Sequence, residues 1–299
     1  MILITWNIQW CRGADGRVDP ERIVREARAL ADFDVLCVQE VADNFPHPRL
    51  AGADDSDQFA GLAALLPGYT AIAGIAVDRA GDDGRRRRFG NLVLSRLPVG
   101  QVFRHLLPYP ADAGVPAMPR VAVEAVVDSP QGAIRIITTH LEYYSARQRM
   151  AQVEALRTIY AEGEAHARAK PATIGGGPFE GIARPRATLI AGDFNFEPDS
   201  PEYRRLLAPF DGAGASAWAG AVPEGVDATP ALADAWRARH PGEAHPTTFK
   251  LYEKLRPDEP ELHCDFVFAE PSALARIASI EVDAVTRASD HQPIVVRLD

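Results

Sequence analysis

Short polar signatures sit where apolar, strand-like runs stop, and they recur from the first ten residues of the chain to the last ten. They are Thr5-Trp6-Asn7-Ile8, Gln39-Glu40, Thr138-Thr139-His140-Leu141, Gly192-Asp193-Phe194-Asn195 and Ser289-Asp290-His291. A polar side chain at the end of an extended segment is held rigidly at a sheet edge, which is how a sheet protein builds a site. A site that gathers all of them needs both ends of the chain. The 299 residues, 46% hydrophobic, are therefore expected to bury one large core as a single domain spanning 1–299.

The net charge of -9 and pI near 5.4 disfavour a protein that holds long polyanions through many Lys and Arg contacts. Cys11, Cys37 and Cys264 are odd in number and lack metal-type spacing, which points to buried thiols in a reducing compartment. The chain runs straight into Ile2-Leu3-Ile4, and no apolar run approaches a membrane span. The expectation is a soluble, cytoplasmic protein with no protein partner.

The coarse pattern opens as strand, helix, strand. Ile2 to Ile8 reads as a strand; Asp19-Pro20 supplies an N-cap and a proline at the first helical position, with Ile23, Ala27, Leu30 and Ala31 on one face. Val35 to Val38 reads as a buried strand, Gln58 to Leu66 as a helix and Tyr69 to Val77 as a strand, followed by an exposed turn through Gly81-Asp82-Asp83-Gly84 and Arg85 to Arg88. Leu92 to Leu94 reads as a further strand, and Val121 to Val127 and Ile134 to Thr138 form a hairpin. Ser145 caps a long helix carrying Met150, Val153, Leu156 and Ile159 or Tyr160. Residues 173–186 are expected to be a mobile loop and 209–230 a surface excursion; Pro201 to Leu207 is a short helix. Strands at Thr188 to Ala191, Phe266 to Phe268, Ile277 to Val285 and Pro293 to Leu298 complete a sheet.

Taken singly, Glu40, Asp193-Phe194-Asn195 and Asp290-His291 each read as an ordinary strand end or turn. Together they make an inventory for phosphoester cleavage by water. A hard cation such as magnesium takes oxygen ligands and needs one or two carboxylates, for which Glu40 and Asp290 are the best placed; no His or Cys cluster argues for zinc. Asp193 can take a proton from water while Asn195 fixes geometry. His140 and His291 can donate to phosphate oxygens, and Asp265, in Cys264-Asp265-Phe266, is the candidate acid behind His291. Tyr143 and Tyr144 either stack on a base or sugar or pack on the following helix. Arg120 and Arg147 are candidate phosphate contacts with surface pairing as the alternative, and Arg85 to Arg88 either meet substrate at the rim or form a solvated loop.

This series resembles the endonuclease/exonuclease/phosphatase superfamily of metal-dependent phosphoesterases, in that family's order and over nearly the whole chain. The resemblance implies a four-layered α/β sandwich, with two central, mostly antiparallel β-sheets flanked by helices and a site at their shared edge. It implies that Glu40 is the main magnesium ligand, with manganese able to substitute, and that Asn7 and Asp290 lie close to the metal. It makes Asp193 the residue that activates water and Asn195 its positioner, with His140 and the Asp265-His291 pair stabilising the phosphoryl transition state. Gly90-Asn91-Leu92-Val93-Leu94-Ser95-Arg96 resembles a strand common in phosphatase-like and sphingomyelinase-like members, which makes Asn91 a candidate substrate contact. Thr247-Thr248-Phe249 resembles a segment near the substrate entrance. The chain departs from the abasic-site repair branch, whose central tyrosine motif is absent before His140. The expected activity is hydrolysis of a phosphodiester or phosphomonoester in a phospholipid head group, nucleotide or nucleic acid. A nuclease of the same superfamily is one alternative, and a non-catalytic binding module with the same fold is the other.

Overall fold

A computed structural model describes residues 1–169, 177, 184–210, 229–252 and 261–299. The loop expected over 173–186 and the excursion expected over 209–230 fall largely outside the described residues.

Among the described residues, twelve strands form two sheets of six. The first contains β1 (Ile2–Asn7), β2 (Val35–Asp43), β3 (Thr70–Ala80), β4 (Arg86–Ser95), β11 (Ile277–Val282) and β12 (Ile294–Leu298), in the order β11-β12-β1-β2-β4-β3. The second contains β5 (Val99–Leu106), β6 (Val121–Ser129), β7 (Gly132–His140), β8 (Thr188–Asp193), β9 (Ala233–Asp234) and β10 (Asp265–Ala269), in the order β5-β6-β7-β8-β10-β9. Each sheet is antiparallel except for one central parallel pair, β1 with β2 and β7 with β8. The parallel ladders stop at Asn7 opposite Gln39, with Glu40 next on β2, and at His140 opposite Asp193, so the two parallel pairs bring these polar side chains to one edge.

The sheets face each other across a core of side chains such as Leu3, Val35, Val93, Val123, Ile136 and Val267. Helices α1 (Pro20–Leu30) and α2 (Gln58–Leu65) cover the first sheet, burying Ile23, Ala27, Phe59 and Leu62 against Ile4, Leu36 and Leu94. Helices α3 (Ala146–Ala169) and α4 (Pro201–Leu207) cover the second, burying Val153, Leu156, Tyr203 and Leu206 against Ile137, Ile190 and Phe268. This is the α/β sandwich that the resemblance implies. Short helices α5 (Ala235–Arg239) and α6 (Pro271–Arg276) complete the described elements.

Local chemistry fixes the helix starts. Asp19 Oδ1 accepts the Arg22 backbone N–H at 2.9 Å, and Ser145 Oγ accepts that of Gln148 at 3.1 Å. Three expectations need correction. Arg86, Arg87 and Arg88 are not a turn but open β4, where they pair in register with Ala80, Arg79 and Asp78. β11 ends at Val282 rather than Val285. β5, at an edge of the second sheet, was not anticipated.

A candidate phosphoester-hydrolysis site

Backbone irregularities aim the key carboxylates. The β2–β4 register shifts between Val38 and Val41, and in that bulge Glu40 adopts φ 62°, a conformation costly for a residue with a side chain. The distortion turns Glu40 out of the sheet core and into the cleft. On the other sheet, Gly192 has φ 142°, and a Cβ there would lie 2.0 Å from the Thr139 carbonyl oxygen. Only glycine lets β8 approach β7 this closely, and the resulting register sets Asp193 directly beside His140 and opposite Asp265.

Asp193 is the hub. Its Oδ2 accepts from Asn7 Nδ2 at 2.9 Å and its Oδ1 from the Asn195 backbone N–H at 2.9 Å. His140 Nε2 lies 3.4 Å from Oδ2 and His291 Nε2 3.7 Å from it. Burial works to raise this carboxyl's pKa, but the two imidazoles and the hydrogen bonds outweigh it and hold the group ionised. Asn195, at φ 52°, anchors the turn by donating from Nδ2 to the Leu141 carbonyl at 2.8 Å.

The two histidines carry different charge. Burial, helped by the nearby Arg120 guanidinium, lowers His140 to about 3, so it is a neutral imidazole. Burial also acts against the charge on His291, but Asp265 and Asp193 reverse the balance and push it up to about 10. Asp265 Oδ2 accepts from His291 Nδ1 at 2.8 Å, which leaves Nε2 facing the cleft. Thr248 Oγ1 accepts the backbone N–H of both Cys264 and Asp265, and Phe249 packs its ring against His291 with centroids 4.5 Å apart.

Asp290 is fixed by Gln9, whose Nε2 donates to Oδ2 at 2.8 Å. Burial and the charge of Asp290 push Glu40 up to about 7. This oxygen-rich donor set fits a hard divalent ion. Asp193, Cys264 and His291 also lie close enough together to share an ion, but a thiol and an imidazole suit a softer metal, whereas the carboxylate oxygens of Glu40 and Asp290 suit a hard one.

A cleft of about 590 Å³ joins Glu40, His140, Asp193, Asn195, Asp290 and His291. Arg120 and Tyr143 line it too. Arg120 is 5% exposed and donates from Nε to Glu142 at 3.3 Å, while its buried Nη1 has no hydrogen-bond partner among the described residues. Tyr143 and Tyr144 stand exposed in an edge-to-face pair. Asn91 lies elsewhere, buried, with Nδ2 donating to the Val121 carbonyl at 3.0 Å, and so ties the two sheets together. Arg147 donates to the Ala111 carbonyl, and Arg85 to Arg88 are matched to Asp43, Asp55, Asp78 and Asp82. Sequence reasoning passed over Gln9 and Glu142, whose roles depend on contacts with residues 281 and 22 positions away that no local pattern encodes.

The profile of the endonuclease/exonuclease/phosphatase family matches residues 4–291. The chain belongs to this family. Its members hydrolyse phosphoester bonds and generally depend on a divalent metal. Among solved structures, an endonuclease/exonuclease/phosphatase from Beutenbergia cavernae is 26% identical with a TM-score of 0.65, covering 100% of this chain and 71% of that one. A mannosyl-6-phosphatase from Bacteroides thetaiotaomicron (17%, TM-score 0.63, 100% and 99% covered) shares the family fold. So does a 3′-5′ exonuclease from Neisseria meningitidis (18%, TM-score 0.57, 100% of both chains). No protein with a curated description matches the chain. Among the described residues, no helix is long and apolar enough to cross a membrane.

Proposed function

We propose that this protein is a magnesium-dependent hydrolase of small phosphoesters, acting by direct attack of a water that Asp193 orients and deprotonates. The observation that carries this reading is the setting of Asp193: an ionised carboxylate held by Asn7 and the Asn195 backbone, with one neutral and one charged imidazole within 4 Å.

Glu40 and Asp290 would hold the metal, with Asn7 beside them. When bound, magnesium supplies charge neutralisation at the phosphoryl and leaving-group oxygens. The His291 imidazolium donates from Nε2 to a phosphoryl oxygen, and Asp265 keeps that proton in place from behind. His140 adds a neutral donor. The unpartnered Nη1 of Arg120 offers a further one, and a preorganised donor aimed at developing charge costs no rearrangement during the reaction. Asp193 accepts the proton of the attacking water, which requires it to be ionised beforehand.

Small substrates are favoured over long polyanions because the arginine run at 85–88 is spent on neighbouring acids and the chain carries a net charge of -9. Three buried free cysteines support a reducing, cytoplasmic setting. The test is hydrolysis of a chromogenic phosphodiester and phosphomonoester with magnesium, manganese or chelator. Metal-dependent turnover supports the reading; metal binding without turnover on either ester supports a binding module instead.

A further inference from the structure

The cleft is larger than a phosphoryl group needs, and its chemistry changes along its length. Besides the catalytic set it is lined by Trp10, Phe45, Leu50, Val77, Phe89 and Met118, which pack on one another as a separate apolar cluster. Phe45 follows the end of β2, five positions beyond Glu40. A strand advances about 3.3 Å per residue, so this floor begins within roughly 16 Å of the acid.

Two arginines, Arg79 and Arg49, border the same cleft. The Arg79 guanidinium lies over the Phe45 ring, 4.9 Å from its centroid. Among the described residues, no carboxylate lies within ion-pair distance of Arg79 or Arg49, although Arg85, Arg86, Arg87 and Arg88 nearby each have one. A cation placed on an aromatic face beside an apolar floor, with no counter-ion, is a receptor for an anion joined to a flat apolar group.

Building on the phosphoesterase reading, we propose that this half of the cleft is a leaving-group subsite for phosphoesters whose alcohol is flat and apolar and ends in a second anion. The reacting phosphorus sits at Asp193 and His291, the apolar group lies on the Phe45, Phe89 and Met118 floor, and Arg79 with Arg49 takes the distal negative charge. The subsite selects a small two-anion ester over one with an uncharged tail.

The test compares phenyl phosphate, 2-naphthyl phosphate and 6-carboxy-2-naphthyl phosphate on the full-length enzyme with magnesium, in wild type and in the Arg49→Gln/Arg79→Gln double variant. The expected kcat/KM rises about tenfold from phenyl to naphthyl and about tenfold again with the carboxylate. The double variant abolishes only the second step and keeps wild-type turnover of phenyl phosphate. Equal rates for the two naphthyl esters in wild type, or a carboxylate preference that survives the double variant, would overturn the proposal. If no ester is hydrolysed, the phosphoesterase reading fails, and calorimetric binding of the same esters decides the subsite on its own. Tighter binding of the carboxylated ester, lost in the double variant, supports it; equal affinities refute it.

Discussion

His291 Nδ1 lies 2.8 Å from Asp265 Oδ2, and the two residues are neighbours only because β10 and the segment before β12 meet at the cleft. Asp265 fixes both the orientation and the charge of the imidazole. Asp265→Asn is expected to lower turnover about 100-fold or more, since the ring loses the partner that keeps its proton. The activity profile of the variant should fall away at lower pH than that of wild type. Stability follows with a definite sign. A histidine raised from 6.5 to about 10 contributes stability that is complete below pH 6.5 and is lost as pH rises through 10. Chemical denaturation in chelator across that range should show this decline in wild type and a flatter curve in Asp265→Asn.

Gly192 is irreplaceable for a reason that can be measured. Its φ of 142° and the 2.0 Å approach of a Cβ to the Thr139 carbonyl force either backbone strain or separation of β7 from β8. Gly192→Ala is expected to cost about 3 kcal/mol and to reduce turnover by displacing Asp193. Gly61→Ala, where the new Cβ meets nothing within 4 Å on helix α2, is the control and should be neutral or slightly stabilising by thermal melting.

Much of this site is legible from sequence because buried strands leave a plain signal: apolar runs such as Leu189-Ile190-Ala191 break off at a polar residue. Asp193, His140, Glu40 and Asp290 stand out in that way. β5 escaped because Gly100, Gln101 and Arg104 interrupt its apolar pattern on a sheet edge, where half-exposed positions do not need to be apolar. Arg86 to Arg88 look like a solvated turn, yet acids at 43, 78 and 82 let them extend a strand. Asn91 is polar at a buried position, and only its distant acceptor on β6 explains it. The pairing of Gln9 with Asp290 and of Thr248 with Asp265 likewise arises in three dimensions and has no spacing to betray it.

On the proposed assignment of Glu40 as metal ligand, metal affinity is coupled to pH. Without a cation, burial and Asp290 push its carboxyl to about 7, so metal binding must displace a proton at lower pH. Magnesium affinity is expected to rise with pH up to about 7 and then level off, with proton release detectable by calorimetry in buffers of different ionisation heat. Glu40→Gln should weaken magnesium at least tenfold and remove that proton release.

Glu124 provides a pH dependence remote from the cleft. Its fully buried carboxylate accepts from Arg135 at 2.9 Å and from Arg184 at 2.7 Å, with His105 Nε2 3.1 Å away. Burial alone would raise its pKa, but these partners lower it from 4.5 to about 2. The stabilisation is therefore present above pH 4.5 and lost as pH falls through 2, about 3 kcal/mol in all. Acid titration of stability should show this limb in wild type, and Glu124→Gln should be less stable at pH 7 and lack it.

The central claim, that Asp193 activates the attacking water while other residues hold the metal, is tested most directly on Asp193→Asn. The measurement is magnesium binding by calorimetry beside metal-dependent phosphoester turnover on the same preparation. Near-wild-type magnesium affinity with turnover reduced at least about 100-fold is the predicted result. Full activity in Asp193→Asn, or loss of magnesium binding in step with activity, would contradict it.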